Sequence, residues 1–162
     1  MKRNLRDLLE HEIKDLYSAE TQLLEALPKM ANVASNGQLR QAFESHFEET
    51  KGQKQRLEKI AQMLNIQPGG ETCKAMQGLI REGEEMMDLD ADEDVRDAGL
   101  IGAAQRVEHY EIAGYGTARQ FAKRLGENEV ARLLSETLEE ESDADEKLND
   151  LAIEKINEEA AT

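Results

Sequence analysis

Four glutamates stand at positions where a helical repeat calls for apolar side chains. Glu20 has Leu16, Leu23, Leu24 and Leu27 at i−4, i+3, i+4 and i+7, so it projects from an apolar stripe. Glu49 shares a stripe with Ala42, His46, Gln53 and Ile60, and Glu111 with Val107, Glu108, Tyr115 and Ala118. Glu140 has Leu133, Thr137, Ala144 and Leu148 along its face. His46 precedes Glu49 by three residues and Glu108 precedes Glu111 by three, so each pair can point at one place. Two like charges about 4 Å apart cost on the order of 4 kcal/mol at an effective dielectric of about 20. Several such pairs rival the whole stability of a small domain, roughly 5–15 kcal/mol. Protonation and water relieve part of this repulsion. Two divalent cations relieve more, because they bring four positive charges and take oxygen ligands directly. The residues that could hold them are Glu20, His46, Glu49, Glu108, Glu111 and Glu140. A glutamate from each helix with i,i+3 companions is the di-iron or di-manganese carboxylate design.

Such a centre needs four long helices to carry it. Apolar residues from Leu5 to Met30 repeat with helical period over 4–33, and Pro28 is expected to bend that helix or mark its last turn. Ser35-Asn36-Gly37 is a stop and a tight turn, and a second helix follows over about 38–64 until Pro68-Gly69-Gly70. A short helix is expected over 74–87, a third long one over about 95–125, and a fourth from about 128 into a tail expected to fray. The chain thus reads as one domain over 1–162: a helix pair 4–64, a crossover 65–94 and a helix pair 95–157. Tight turns make the members of each pair antiparallel, and the long crossover joins the pairs. The halves repeat: an offset of 91 positions brings Glu20 onto Glu111, Glu49 onto Glu140 and Leu57 onto Leu148.

Composition narrows the class. The 162 residues include 4% aromatics, 34% charged residues and two prolines, with no alternating β-branched runs, so the fold is expected to be all-α. A formal charge of −15 argues against nucleic acid and against an anionic membrane as partners. No apolar run is long enough to span a bilayer and the start has no secretory h-region, which leads to a cytoplasmic expectation. The single cysteine, Cys73, reads as a small semi-buried side chain. The alternating acids Asp88, Asp90 and Asp92 fail as a calcium loop, since Glu93 and Gly99 fall where glycine and glutamate belong; Asp94 is the expected N-cap of the third long helix. Gly114 and Gly116 read as close-packing positions, Tyr17 and Tyr115 as neighbours of the acids, and His11 and His109 as surface residues.

The segments LYSAETQLLEALPKMA, FESHFEETKGQ, RDAGLIGAAQRVEHYEIAGYGTAR and LLSETLEEES resemble the signature segments of the YciF-type ferritin-like stress-response family. The resemblance covers nearly the whole chain, and EHYEIAGYGT is its most specific part. It implies a ferritin-like antiparallel four-helix bundle, a homodimer, and a rubrerythrin-like dinuclear site at Glu20, His46, Glu49, Glu108, Glu111 and Glu140. The wider superfamily carries a histidine three residues after the glutamate on two helices, where this chain has Gly52 and Asp143. An oxygen-rich donor set favours harder ions. The functional expectation is a di-iron or di-manganese oxidoreductase acting on Fe(II), on peroxide, or on both during stress. The alternative is a non-enzymatic acidic bundle that works through partner binding or dimerisation.

Overall fold

The computed structural model describes residues 4–162. Asn4 opens the first helix with a reciprocal cap: its side chain accepts the Asp7 N–H at 3.1 Å, and Asp7 accepts the Asn4 N–H at 3.0 Å. From there α1 (Leu5–Val33) runs through Pro28 without ending. Pro28 is exposed, so the carbonyl it leaves unpaired four residues earlier lies on the solvent side. The Asn36 side chain caps α2 (Gly37–Leu64) by accepting the Gln38 and Leu39 N–H groups, and Asn65 ends it at φ 58°. Then follow α3 (Lys74–Met87), α4 (Glu93–Arg124) and α5 (Asn128–Leu151). The N-cap of α4 is Asp92 and not Asp94, which lies in the first turn, where its charge suits the helix dipole. Beyond α5 a π-helical turn (Ala152–Ile156) leads to α6 (Asn157–Ala160). The end of the chain therefore stays helical against α4 where fraying was expected, because Ala152 and Ile156 are buried.

The four long helices form the expected bundle. α1 lies against α2 and α4, and α5 against α4 and α2. Ser35 meets Asp97 at one end of the α1–α4 seam while Leu16 meets Gly114 further along, so those helices are antiparallel. The contacts of His46 with Glu141 and of Arg56 with Thr137 give the same sense to α2 and α5. α3 lies within the crossover and packs on α1 and α4. It is tied there by the Cys73 N–H, which donates to Ser18 Oγ at 2.9 Å, and by Gln22 Nε2, which donates to the Cys73 carbonyl at 3.0 Å. The fold is an all-α antiparallel four-helix bundle with one long crossover carrying a short fifth helix, and no strand occurs among the described residues. No helix of the described residues is long and apolar enough to cross a membrane.

Of the two helical glycines in EHYEIAGYGT, one is needed for packing. A Cβ on Gly114 would stand 2.9 Å from Leu16 Cδ2, whereas one on Gly116 would meet nothing within 4 Å.

The apolar core comes in two parts. Leu23, Leu27, Phe43, Leu100, Val107 and Leu148 belong to one cluster, and Leu9, Ile13, Leu57, Ile60, Tyr115 and Leu134 to the other. Between them lies a buried polar layer of Glu20, His46, Thr50, Gln53, Glu108, Glu111, Thr137 and Glu141.

One buried acid outside this layer has a structural duty. Asp97 of α4 accepts the backbone N–H of Ser35 at 3.0 Å and of Asn36 at 2.7 Å, holding the α1–α2 turn. Bonds to a charged group contribute about 1.5–3 kcal/mol each. Asp97→Ala is therefore expected to cost about 3 kcal/mol in urea unfolding, with an unchanged m-value. A loss under about 1 kcal/mol would show that the turn holds itself.

Candidate metal centre

Each long helix delivers at least one buried side chain to the polar layer: Glu20 from α1, His46 from α2, Glu108 and Glu111 from α4, and Glu141 from α5. One ligand atom from each of His46, Glu108, Glu111 and Glu141 lies within 4.8 Å of all the others. That spacing suits donors placed around an ion at roughly 2.0–2.4 Å from each. His46 Nε2 lies 3.0 Å from Glu108 Oε1 and 3.7 Å from Glu141 Oε2, in an orientation that gives it no directed hydrogen bond. On the other side of the ring, Nδ1 meets Glu49 Oε2 at 3.4 Å. Glu20 lies beside this group, close enough to feel the charges of His46 and Glu108, and its Oε1 accepts a short hydrogen bond from the Tyr115 hydroxyl.

The donor set fits a metal on its unsatisfied chemistry. Glu20 Oε2, His46 Nε2, Glu108 Oε2, both Glu111 oxygens and both Glu141 oxygens are buried without a hydrogen-bond partner. A buried polar atom without a partner costs about 1–3 kcal/mol, and native folds keep few of them. Here seven carboxylate and imidazole atoms gather in one layer, with Gln53 Oε1 as an eighth orphan beside them. Ionised carboxylates only accept, so they cannot satisfy one another; a cation can satisfy them all.

Electrostatics show what holds the cluster when protons alone are at hand. Burial pushes Glu20 up to about 7, against the lowering pull of the Tyr115 hydroxyl and of His46. Burial, then the charges of Glu141, Glu20 and Glu108, holds Glu111 well above the carboxylate range. Glu141 is raised in the same way by burial and by Glu108. Glu108 behaves differently: burial raises it, but the facing imidazolium of His46, with the adjacent Glu141 carboxyl, outweighs burial and lowers it. Burial opposes the charge on His46, yet Glu108, Glu49 and Glu141 overcome it and hold the imidazole well above its usual value. Without metal, the cluster favours one imidazolium–carboxylate pair, His46 with Glu108, beside acids that hold their protons more tightly than usual.

Of the six residues named from the sequence, the structure gathers His46, Glu108 and Glu111 into one cluster with Glu20 beside Glu111, and two others stand differently. Glu49 adjoins from the edge, its side chain 33% exposed. Glu140 does not enter the layer. Arg56 Nη2 donates to its Oε1 at 2.9 Å and Nη1 to its Oε2 at 3.1 Å, while Gln53 Nε2 donates to the same Oε2 at 3.0 Å. The inward carboxylate of α5 is Glu141, fully buried, which the sequence reading passed over. A signal for it was present: Leu134, Thr137, Glu141, Ala144 and Leu148 follow a 3-4-3-4 spacing, the seam of a packed helix. Of the tyrosines, Tyr115 reaches the cluster, whereas Tyr17 donates to Glu58 at 3.2 Å. Cys73 is fully buried, and its Sγ caps α3 by accepting the Met76 N–H at 3.3 Å.

Comparison with known proteins agrees with this architecture. A family model described as a domain of unknown function, DUF892, matches residues 4–161. Protein YciF of Escherichia coli (strain K12) is 47% identical over 159 residues, 98% of this chain and 96% of its own. The crystal structure of the E. coli stress protein YciF superposes with a TM-score of 0.92 at 47% identity, covering 96% of this chain and 99% of that one. YcfI of Rhodopseudomonas palustris gives 0.87 at 44% identity, covering 91% of this chain and 94% of its own. A Xanthomonas campestris protein follows at 0.70 and 26% identity, with 91% and 90% covered. A match to the family model along nearly the entire chain makes the protein a member of the DUF892 family, similar in sequence and structure to the E. coli stress protein YciF.

Proposed function

We propose that this chain is a stress-response oxidoreductase whose polar layer holds two divalent ions, iron or manganese, and that it consumes peroxide while Fe(II) is oxidised. The residues that would hold the ions are Glu20, His46, Glu49, Glu108, Glu111 and Glu141. The observation that carries this reading is the gathering of seven buried, unpartnered donor atoms in one layer. When bound, a pair of such ions supplies electrons one at a time and a Lewis-acidic position for an oxygen substrate. The protein's own residues set the rest. Tyr115 donates to Glu20 and fixes its rotamer. Burial and the nearby carboxylates keep the Tyr115 proton on its oxygen, so it remains a donor. Glu49 on Nδ1 orients the His46 ring and leaves Nε2 facing the acids. The two apolar clusters close the layer above and below. Five carboxylates to one imidazole favour hard ions.

Protein purified without chelator and loaded with ferrous ion is expected to hold about two ions per chain. It should then consume about one peroxide for every two ferrous ions oxidised, faster than ferrous ion in buffer. Fewer than one ion per chain, or oxidation no faster than in buffer, would end this reading. The resemblance also carries a homodimer with it, and sedimentation at micromolar concentration checks the assembly directly.

A further inference from the structure

The polar layer is open on one side. A cavity of about 400 Å³ lies between α2 and α5 and ends on His46, Glu49 and Glu108. Its walls are apolar, with Leu23, Leu27, Phe43, Val107 and Leu148 all buried side chains of the core. The space exists because Ala42, Ala104 and Ala144 stand where larger residues would fill the bundle. Its mouth is different in kind: Gln38, Gln41, Ser45, Lys147, Asp150 and Glu154 are polar and exposed. Glu49, which alone among the carboxylates gathered at the site is not buried, lines this cavity.

Size and lining together select an occupant. Water occupies about 30 Å³ in the liquid, so a cavity this large would hold on the order of a dozen waters against walls that offer them no bonds. Hydrogen peroxide, dioxygen or a ferrous ion needs neither that volume nor those walls. An apolar hollow with a few polar groups at one end is the form of a small-molecule site. A second chain is a poorer fit, since interface cores are depleted of charge and this mouth carries Lys147, Asp150 and Glu154. We infer that the substrate of the centre is an organic hydroperoxide, its apolar body in this cavity and its –OOH group against His46, Glu49 and Glu108. This rests on the peroxide-consuming reading above. The net reaction breaks the O–O bond. Its two oxygens take up two electrons from two ferrous ions and two protons, and one alcohol, one water and two ferric ions result.

The test begins with metal-free protein. Cumyl alcohol, the product analogue of cumene hydroperoxide, is titrated while amide and methyl NMR shifts are followed. Binding is expected to move resonances of Ala104, Val107 and Leu148, and Ala144→Phe is expected to weaken it at least tenfold. Ala42→Phe at the half-buried mouth gives a second blocked variant should Ala144→Phe fold poorly. In iron-loaded protein the same variants should lower the ratio of cumene hydroperoxide to hydrogen peroxide turnover at least tenfold. No binding, binding that both variants leave unchanged, or an unaltered ratio overturns the substrate assignment while leaving hydrogen peroxide consumption standing. Binding of the alcohol with no consumption of either peroxide overturns the redox reading, and the assignment with it.

Discussion

Two equivalents of ferrous or manganous ion per chain are expected to raise the melting midpoint of chelated protein by about 10 °C or more at neutral pH. An ion present at about a hundred times its dissociation constant stabilises by roughly 2.7 kcal/mol, and a domain of this size gains roughly 2–4 °C per kcal/mol. The increment should grow with pH. Metal ligands must be deprotonated, and the metal-free fold keeps Glu20 up to about 7, with Glu111 and Glu141 higher still than the normal range. The metal-free protein should show the opposite slope. A carboxyl with a raised folded pKa binds its proton more tightly when folded, so its stabilising contribution is present below the unfolded value and is lost as pH rises through the folded one. For Glu20, raised from 4.5 to about 7, this amounts to on the order of 3 kcal/mol across that window. His46, raised above 6.5, acts in the same direction at higher pH. Glu108, being lowered, contributes stability that is lost only as pH falls through its depressed value. Chelated protein should therefore melt higher at pH 5 than at pH 8, and loaded protein should reverse that order. A chelated profile that is flat or rising from pH 5 to 8, with no response to metal, would show that the layer is not a crowded acid cluster.

How far the sequence revealed this site depended on whether each position was fixed by its own helix or by a neighbour. Glu20 and Glu111 were legible because i±3 and i±4 neighbours set the buried stripe of α1 and α4 unambiguously. The turns were legible too, since Asn36 caps α2 and Gly126 adopts φ 77° before α5. Glu140 was not. Both it and Glu141 lie within one turn of Thr137 and of Ala144, so these two neighbours leave candidates about 100° apart, and only the longer seam from Leu134 to Leu148 favours Glu141. The repeat offset then favoured Glu140, because it pairs that position with Glu49, which itself stands at the edge of the layer and not within it. A tertiary partner decided the rotamer, and nothing local to α5 announces it. The cavity was hidden for a related reason. Alanines at 42, 104 and 144 look like ordinary helix formers until three helices place them around one space.

That single-residue choice gives the sharpest remaining contrast. Glu140→Gln and Glu141→Gln make the same replacement at adjacent positions of α5, so the change in side-chain size and helix propensity is common to both. Glu141→Gln takes a buried donor out of the layer. It is expected to weaken metal binding by at least about a hundredfold and to remove most of the metal-induced rise in midpoint. The metal-free variant should be as stable as the parent at pH 5 and more stable at pH 8. Glutamine imitates the protonated carboxyl, and Glu141 is held protonated by burial and by Glu108. Glu140→Gln should leave metal stoichiometry and the metal-induced rise intact. Its cost comes from Arg56, which keeps Glu136 at 3.3 Å and Thr137 at 2.6 Å but loses its paired bonds to the carboxylate. Glu140 is 34% exposed, so the loss should be about 1 kcal/mol in both loaded and chelated protein. Metal stoichiometry and melting curves of the two variants at pH 5 and 8 separate these outcomes. If Glu140→Gln empties the site and Glu141→Gln does not, α5 sits one residue out of this register in solution, and Arg56 is then a guard of the metal ligands rather than the residue that draws Glu140 away from them.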